Sequence, residues 1–365
     1  MKLPKLAIKN FSLDICIIQG GMGVGVSLHP LAGTVSKAGG LGTISSAGLR
    51  TIVSERDLKV VDTYTAVRIE IEKAQAVSNG QPIAINVMCA LVGDYEATIR
   101  ASIDAGVSAI ISGAGLPLGL PSIQKPGNTA LVPIVSSARA LEIILKRWER
   151  VGYRPDAVVL EGPMAGGHLG FKMSEIDNPD FMLEKILLPV LDVANKHGNF
   201  PVIVAGGIYT HDDIVKFLAM GASGVQMGTR FLATNESSAT PEYKQAVINA
   251  GTDDITVVGY PDVVPASPCG LPFRLLAVSP MYRDGHEIKC NRGYVLQRGS
   301  DGNLSSCQAM PESPKCRSFL CICNGLFASA GMAPEEPPLY TVGTNAYRVN
   351  AILSVDNLMR ELCED

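Results

Sequence analysis

Short apolar runs alternate with longer mixed segments from Asp14 to Thr229. Each run is rich in Val and Ile, and most are followed by Gly, Ser or Asn. Continuous apolar runs, unlike alternating ones, are typical of strands that are covered on both faces. The pattern predicts eight such strands, at residues 15–19, 41–45, 82–88, 109–112, 132–136, 157–161, 201–205 and 224–228.

Segments with helical spacing of apolar residues lie between several of these runs. The first follows Ser27, and the last begins after Thr210 and stops at Gly221, which are suitable capping and terminating residues. Strands that alternate with helical crossovers predict an α/β fold, here a TIM-type (β/α)8 barrel, with a doubly wound open sheet as the alternative. The predicted helices span residues 28–38, 64–77, 94–105, 138–150 and 211–220.

The pattern changes after residue 256. Residues 257–340 are rich in Pro and hold six of the nine cysteines, whereas residues 345–362 regain helical periodicity. We therefore predict a barrel over residues 1–256, a Cys-rich C-terminal extension packed on it over residues 257–340, and a helix returning to the barrel wall within residues 341–365.

Composition and charge exclude several classes of protein. Of the 365 residues, 47% are hydrophobic and 18% charged, so the chain can bury a large core and is not intrinsically disordered. The net charge is −4 and no basic run is present, which argues against nucleic acid or an anionic membrane as a partner. Neither a membrane-spanning apolar stretch nor a signal peptide is evident, so we expect a cytoplasmic location. The sequence leaves open whether the chain forms a homo-oligomer.

Two glycine-containing turns follow the seventh and eighth predicted strands. They read V-I-V-A-G-G at 202–207 and G-V-Q-M-G-T-R-F at 224–231. In a barrel these turns commonly bind a phosphate, because glycine lets backbone N–H groups approach it. The alternative is two ordinary turns that close a barrel. After the first strand, Q-G-G-M-G-V-G-V at 19–26 does not give the dinucleotide spacing and better suits a flat ring lying on the backbone.

Two polar residues at other strand ends are candidates for chemistry. His168 lies in E-G-P-M-A-G-G-H-L-G-F at 161–171, on a glycine-flanked loop after the sixth strand. An imidazole there suits proton transfer at neutral pH, although a lone histidine can also be structural. Asn86 lies near the end of the third strand, where it could bond a cofactor ring or a neighbouring loop.

Five motifs in order resemble the nitronate monooxygenase family, formerly called 2-nitropropane dioxygenases. Flavin-dependent enoyl-acyl-carrier-protein reductases share them. The resemblance covers roughly residues 5–250 and also touches Ser267–Leu271 and Gly343–Arg348. The motifs are Q-G-G-M-G at 19–23, A-I-N-V at 84–87, A-G-G-H at 165–168, V-A-G-G-I at 204–208 and Q-M-G-T-R-F at 226–231.

The resemblance implies FMN at the C-terminal mouth of a TIM barrel, with His168 as the catalytic residue. Glycines and Thr229 would hold the phosphate, Met22 would pack on the ring, and Asn86 would bond its polar edge. The cofactor-binding residues implied in this way are Gly21, Met22, Asn86, Gly167, Gly206, Gly207, Gln226, Met227, Gly228 and Thr229.

The resemblance leaves the reaction open. The first hypothesis is oxidation of a small-molecule substrate, an alkyl nitronate, with O2. The alternative is an FMN-dependent reductase that uses NAD(P)H to reduce an enoyl thioester or a similar alkene. A third is a flavin-free barrel isomerase or lyase that binds a phosphorylated substrate, for which Glu161 is the one carboxylate suitably placed at a strand end. A non-catalytic flavin or metal module is the fourth.

The cysteine-rich extension departs from the simplest members of that family. Four thiolates could bind an iron–sulfur cluster or, as a less favoured alternative, Zn²⁺, or the cysteines could be plain thiols. The C-x-C spacing matches neither ferredoxins nor zinc ribbons. The candidate ligands are Cys290, Cys307, Cys316, Cys321 and Cys323.

Overall fold

The computed structural model describes residues 2–286, 292, 297–298, 304–305 and 318–364. Eight parallel strands within these residues form one sheet. A parallel bridge between Ile18 and Leu41 joins the first strand to the start of the second, so the sheet closes and the predicted TIM barrel is confirmed. In chain order the barrel strands are Ile17–Gln19, Gly42–Ser45, Ile83–Met88, Ala109–Gly113, Ala130–Val135, Val158–Glu161, Val202–Ala205 and Gly224–Met227.

Helices cover the outside of the barrel, and all five predicted helices are present within one or two residues of the expected bounds. Every residue of the seventh and eighth strands is buried, as expected for strands covered on both faces. The α-helices described are His29–Lys37, Leu49–Arg56, Thr63–Val77, Tyr95–Asp104, Leu120–Ile123, Ala138–Glu149, Met173–Ile176, Leu183–Lys196, His211–Ala219, Thr229–Leu232, Pro241–Ile248, Pro280–Arg283, Ile322–Ser329 and Val355–Cys363.

An N-terminal hairpin closes one end of the barrel. Its strands are Leu6–Ile8 and Phe11–Leu13. In the turn between them, the Lys9 ammonium donates to the carbonyl of Thr129, the residue that precedes the fifth barrel strand. The hairpin therefore covers the N-terminal ends of the strands and leaves the C-terminal ends for a site.

The chain beyond the barrel attaches to this open end by strand pairing. Ile255–Val258 pairs with Phe273–Leu276, which in turn pairs with the short strand Gly167–His168. Further along, the buried helix Ile322–Ser329 packs nearby, and Val355–Cys363 lies against His29–Lys37. The strand Ile255–Val258 spans the predicted boundary at residue 256. The division of the chain into three parts remains a prediction.

The structure describes only part of the cysteine-rich segment. Cys321 and Cys323 are described, whereas Cys290, Cys307 and Cys316 lie outside the described residues. Within the described ranges, no group of three or more His, Cys, Asp or Glu side chains is arranged to hold a metal ion. None of the described helices is long and apolar enough to cross a membrane.

Candidate functional site

A cavity of about 710 Å³ lies at the C-terminal ends of the barrel strands. It brings together all eleven residues that the sequence singled out as catalytic or cofactor-binding, although they come from five different barrel strands and the loops that follow them. These are Gly21, Met22, Asn86, Gly167, His168, Gly206, Gly207, Gln226, Met227, Gly228 and Thr229.

Glycine is required in the turn after the seventh strand. Gly206 and Gly207 have φ angles of +91° and +88°, which side chains other than glycine rarely adopt. A Cβ on Gly206 would lie 2.8 Å from the carbonyl oxygen of Gly162. The Asn345 amide donates to the carbonyl of Gly207 at 2.6 Å, so the chain beyond the barrel holds this turn in place.

The turn after the eighth strand lies beside it and is less crowded. A Cβ on Gly228 would meet only Met22, at 3.7 Å or more. The hydroxyl of Thr229 accepts a hydrogen bond from the backbone N–H of Gly343 at 2.9 Å. The two turns and the segment of Gly343 and Asn345 form a backbone-lined corner of the cavity.

The loop after the first strand forms a second wall and is fixed by buried hydrogen bonds. The Gln19 amide donates to the Ser27 hydroxyl at 2.9 Å, and that hydroxyl also accepts the N–H of Met22 at 3.0 Å. A Cβ on Gly21 would overlap the side chain of Asn86. Glycine therefore lets the loop backbone lie directly against Asn86 at the cavity surface.

One buried acceptor in the cavity wall has no partner among the described residues. It is the side-chain oxygen Oε1 of Gln226, a residue only 9% exposed. Asn86 donates to the carbonyl of Ile111 at 3.3 Å and also lines the cavity. Because an unpaired buried acceptor is costly, these amides fit a ligand with its own donors and acceptors, as along the edge of a flavin ring.

His168 is held at the cavity by residues from beyond the barrel. Its backbone pairs with Phe273, whose ring lies edge-on to the imidazole at 4.8 Å between centroids. The buried Arg274 donates to the carbonyls of Pro163 and Ala165, at 2.6 and 2.5 Å. Burial lowers the pKa of Arg274 to about 10, so it stays charged and fixes the loop that leads to His168.

Two ionisable groups next to His168 complete the site. Burial raises the pKa of Glu161 to about 7, although the neighbouring His168 opposes this increase. The Cys269 thiol has a pKa of about 7, because His168 and the Ser267 hydroxyl outweigh the effect of its burial. The sequence suggested Glu161 only for a flavin-free barrel, and it gave no signal that Cys269 would meet His168.

The chain beyond the barrel also contributes directly to the cavity wall. Ile322, Cys323 and Leu326 of the helix Ile322–Ser329 line it, together with apolar residues of the barrel loops. Cys323, a candidate metal ligand from the sequence, thus lies at this cavity. The apolar part of the lining includes Met88, Leu91, Leu116, Ile134 and Phe171.

Comparisons with known proteins show the family to which the chain belongs. The family model for nitronate monooxygenase matches residues 5–267. Proteins named probable nitronate monooxygenase from Staphylococcus aureus strains MSSA476 and Newman are 28% identical over 268 residues, covering 67% of this chain and 72% of theirs.

Solved structures show a similar fold over nearly the whole chain. A mutant of FabK from Thermotoga maritima is 25% identical with a TM-score of 0.64, covering 96% of this chain and 91% of that one. A nitroalkane oxidase from Streptomyces ansochromogenes is 22% identical with a TM-score of 0.66, covering 96% and 95%. The second likeness supports the fold alone.

Proposed function

The chain belongs to the nitronate monooxygenase family and is an oxidoreductase, and on this premise we propose that it uses FMN to oxidise alkyl nitronates with O2. The observation that carries the proposal is the single cavity in which all eleven motif residues meet. It combines a glycine-lined corner, an amide-lined wall and an imidazole, which are the three kinds of surface that FMN and its substrate require.

The residues present fit FMN. Gly206, Gly207, Gly228 and Thr229 would hold the phosphate in the backbone-lined corner, where a Cβ on Gly206 would clash with the Gly162 carbonyl. Met22 and the glycine backbone would cover the ring. The buried Gln226 oxygen would gain a donor. When bound, FMN supplies the electron transfer between the substrate and O2.

The side chains around the cavity define what the protein itself does. His168 is the group that would take a proton from a neutral nitroalkane or hold the nitro group of a nitronate. With its pKa raised to about 7, Glu161 is about half protonated at neutral pH and repels an anionic substrate less than an ordinary carboxylate would. The apolar lining, such as Leu91 and Phe171, suits an alkyl chain and excludes water.

A second candidate is an FMN-dependent reductase of an enoyl thioester or similar alkene with NAD(P)H as donor. Two observations favour it: the likeness to FabK, and the presence of Glu161 beside His168 as a second group able to give a proton. An iron–sulfur centre in the segment of Cys290, Cys307 and Cys316 would strengthen this candidate. That segment lies outside the described residues.

The experiment compares two activities of protein purified without oxygen. We expect a flavin absorption spectrum, O2 uptake that depends on added alkyl nitronate, and no alkene-dependent oxidation of NAD(P)H. His168→Gln should keep its FMN and lose roughly a hundredfold or more in nitronate turnover. His197→Gln is the matched control, because His197 pairs with Glu149 at the protein surface and does not line the cavity.

Other outcomes would overturn the proposal. Alkene-dependent NAD(P)H oxidation without nitronate turnover would establish the reductase instead. A broad brown absorbance that dithionite bleaches would reveal an iron–sulfur cluster and point the same way. Protein that binds no flavin even after FMN is added would contradict both candidates and favour the flavin-free barrel.

A further inference from the structure

The cavity wall is divided into a charged side and an apolar side. Among the described residues that line it, every charged side chain comes from the sixth barrel strand or from a later part of the chain, namely Glu161, Lys172, Glu175 and Arg230. The third, fourth and fifth strands and their loops contribute a mainly apolar lining, which includes Met88, Leu91, Leu116, Ile134 and Val135.

The strand order places these two sides across the barrel from each other. In the closed sheet the fourth strand, Ala109–Gly113, lies opposite the eighth strand, Gly224–Met227. The backbone-lined corner and His168 belong to the side of the sixth to eighth strands. The opposite side is therefore left for an apolar part of a ligand.

The apolar side of the cavity continues onto the protein surface. Leu116 lines the cavity and is also 39% exposed, so it lies at the mouth. Val92 and Leu118, on the same two loops after the third and fourth strands, are 40% and 36% exposed. We call Val92, Leu116 and Leu118 the apolar rim.

The apolar rim is a concentration of exposed apolar side chains. Twelve large apolar residues are exposed in the part of the chain that the structure describes, and these two short loops carry three of them. Exposed apolar side chains that are grouped, unlike single scattered ones, are typical of binding surfaces. Because Leu116 belongs to both the rim and the cavity wall, the ligand of the cavity is the occupant to which the rim is assigned.

Backbone and side-chain hydrogen bonds hold the two loops in place. The N–H of Cys89, at the start of the first loop, donates to the carbonyl of Gly113 at 2.8 Å. In the second loop the carbonyl of Pro117 accepts the indole N–H of the fully buried Trp148 at 2.9 Å. Pro117 lies between the two rim leucines, so the rim is already formed and need not be ordered by a ligand.

We propose that the apolar rim is the path by which the alkyl chain of the substrate leaves the cavity, so that the enzyme prefers medium- and long-chain alkyl nitronates to short ones. The inference rests on the proposed function, which places the nitronate group beside His168. A short chain ends within the apolar side of the cavity. A longer chain passes Leu116 and covers Val92 and Leu118, and each methylene that leaves water there strengthens binding.

The first test measures binding without turnover. Straight-chain carboxylates from propanoate to decanoate carry their charge on two coplanar oxygens, as nitronates do, but lack the C=N bond that is oxidised. Calorimetry on the holoenzyme, below the concentrations at which the carboxylates form micelles, gives each Kd. We expect the affinity to rise about two- to fourfold with each added methylene, because burial of a methylene supplies that gain.

A double variant of the rim, Val92→Thr with Leu118→Asn, isolates its contribution. Both substitutions keep the approximate size of the side chain and remove apolar surface. The ratio of the propanoate Kd to the decanoate Kd should fall by roughly fivefold or more. Leu188→Asn is the matched control, because Leu188 is an exposed leucine of the helix Leu183–Lys196 that does not line the cavity, and it should leave this ratio unchanged.

The second test measures turnover of alkyl nitronates from ethyl to decyl. We expect kcat/KM to increase with chain length mainly through a lower KM, since the chain makes the same contacts before and during the reaction. The double variant should flatten this increase.

Three results would overturn the assignment of the rim. They are equal affinity for propanoate and decanoate, an unchanged Kd ratio in the double variant, and a change of oligomeric state in that variant during sedimentation. The last result would assign the rim to an interface between copies of the chain.

The two proposals fail separately, because calorimetry requires no reaction. If the Kd ratio depends on the rim but no nitronate is oxidised, the proposed function is wrong and the rim stands as a binding path for an alkyl or acyl chain. If nitronates are oxidised at rates that do not depend on chain length, the rim proposal is wrong and the proposed function stands.

Discussion

Glycines line the cavity for two different physical reasons. Gly206 is required by the folded chain itself, because its φ is +91° and a Cβ would lie 2.8 Å from a backbone oxygen. Gly228 has an ordinary backbone conformation and room for a Cβ, with Met22 no closer than 3.7 Å. If FMN lies where we propose, glycine at position 228 serves the ligand and not the fold.

This contrast gives a prediction at the residue scale. Gly228→Ala should leave the Tm of FMN-free protein nearly unchanged and weaken FMN binding about tenfold or more, a cost of roughly 1.4 kcal/mol. Fluorescence titration with FMN measures the affinity, and thermal unfolding measures the stability. Gly206→Ala should reduce both quantities, because strain and overlap act on the fold as well.

Gly93→Ala is the control, since a Cβ there meets nothing within 4 Å. It should bind FMN like wild-type protein. Wild-type affinity in Gly228→Ala would contradict the assignment of the phosphate corner.

Single residues also show where sequence reasoning reaches its limit. Gly206 and His168 could be singled out, because each lies just after a predicted strand and strand ends converge in a barrel. Cys269 could not, because its contact with His168 depends on strand pairing between distant segments. The unpaired oxygen of Gln226 also depends on the packed cavity, and no sequence pattern reports it.

At the scale of elements, one buried carboxylate joins three helices. Glu70 of Thr63–Val77 is fully buried and accepts hydrogen bonds from the backbone N–H and ring of His29, at 2.7 and 2.9 Å. It also accepts one from Arg56 at 2.7 Å. Burial alone would raise the pKa of Glu70, but the bonds from His29 and Arg56 hold it below its usual value.

We therefore predict that Glu70→Gln lowers the free energy of unfolding by roughly 3 kcal/mol at neutral pH, because Arg56 loses the buried one of its two counter-charges and keeps only Asp57. The lowered pKa means that the carboxylate contributes stability above the unfolded-state value of about 4.3 and loses it as the pH falls through the folded-state value. The difference between wild-type and variant should therefore shrink in acid. Urea unfolding at several pH values measures it.

Glu72→Gln on the same helix provides the matched control. Its side chain is 59% exposed and pairs with Arg68 at 3.4 Å, so we expect a change of about 0.5 kcal/mol or less. A difference between wild-type and Glu70→Gln that stays constant with pH would show that the carboxylate charge is not what joins the helices.

The elements themselves were predicted to different degrees. Both faces of a barrel strand are buried, so each strand needs a continuous run of apolar residues. Each of the eight strands predicted from such runs lies within two residues of its prediction. The helix Leu183–Lys196 was not predicted, and Pro189 in its interior weakens the helical signal. Ser27 was expected to cap the first helix, but its hydroxyl instead bonds Gln19 and Met22 below the cavity.

At the scale of the whole molecule, the two ends of the barrel have different covers. The hairpin of Leu6–Ile8 and Phe11–Leu13 closes the N-terminal end. The chain after the barrel covers part of the C-terminal end, where the helix Ile322–Ser329 and the segment of Gly343 and Asn345 line the cavity. A ligand in this cavity therefore touches both the barrel and the chain that follows it.

This arrangement predicts how FMN changes local stability. At a concentration one hundred times its Kd, FMN adds about 2.7 kcal/mol to the free energy of any local opening that must release it. Hydrogen exchange should therefore slow by up to about a hundredfold at Gly206 and Gly207, and also in the helix Ile322–Ser329. Exchange followed by mass spectrometry, with and without FMN, measures the effect peptide by peptide.

The N-terminal hairpin serves as the control within the same molecule, because it lies at the far end of the barrel from the cavity. Its exchange by local fraying should be unchanged by FMN, since that opening does not release the ligand. If the turns after the seventh and eighth strands slow and the helix Ile322–Ser329 does not, FMN binding belongs to the barrel alone. The chain beyond the barrel would then act on the site only through His168, which its strand Phe273–Leu276 holds in place.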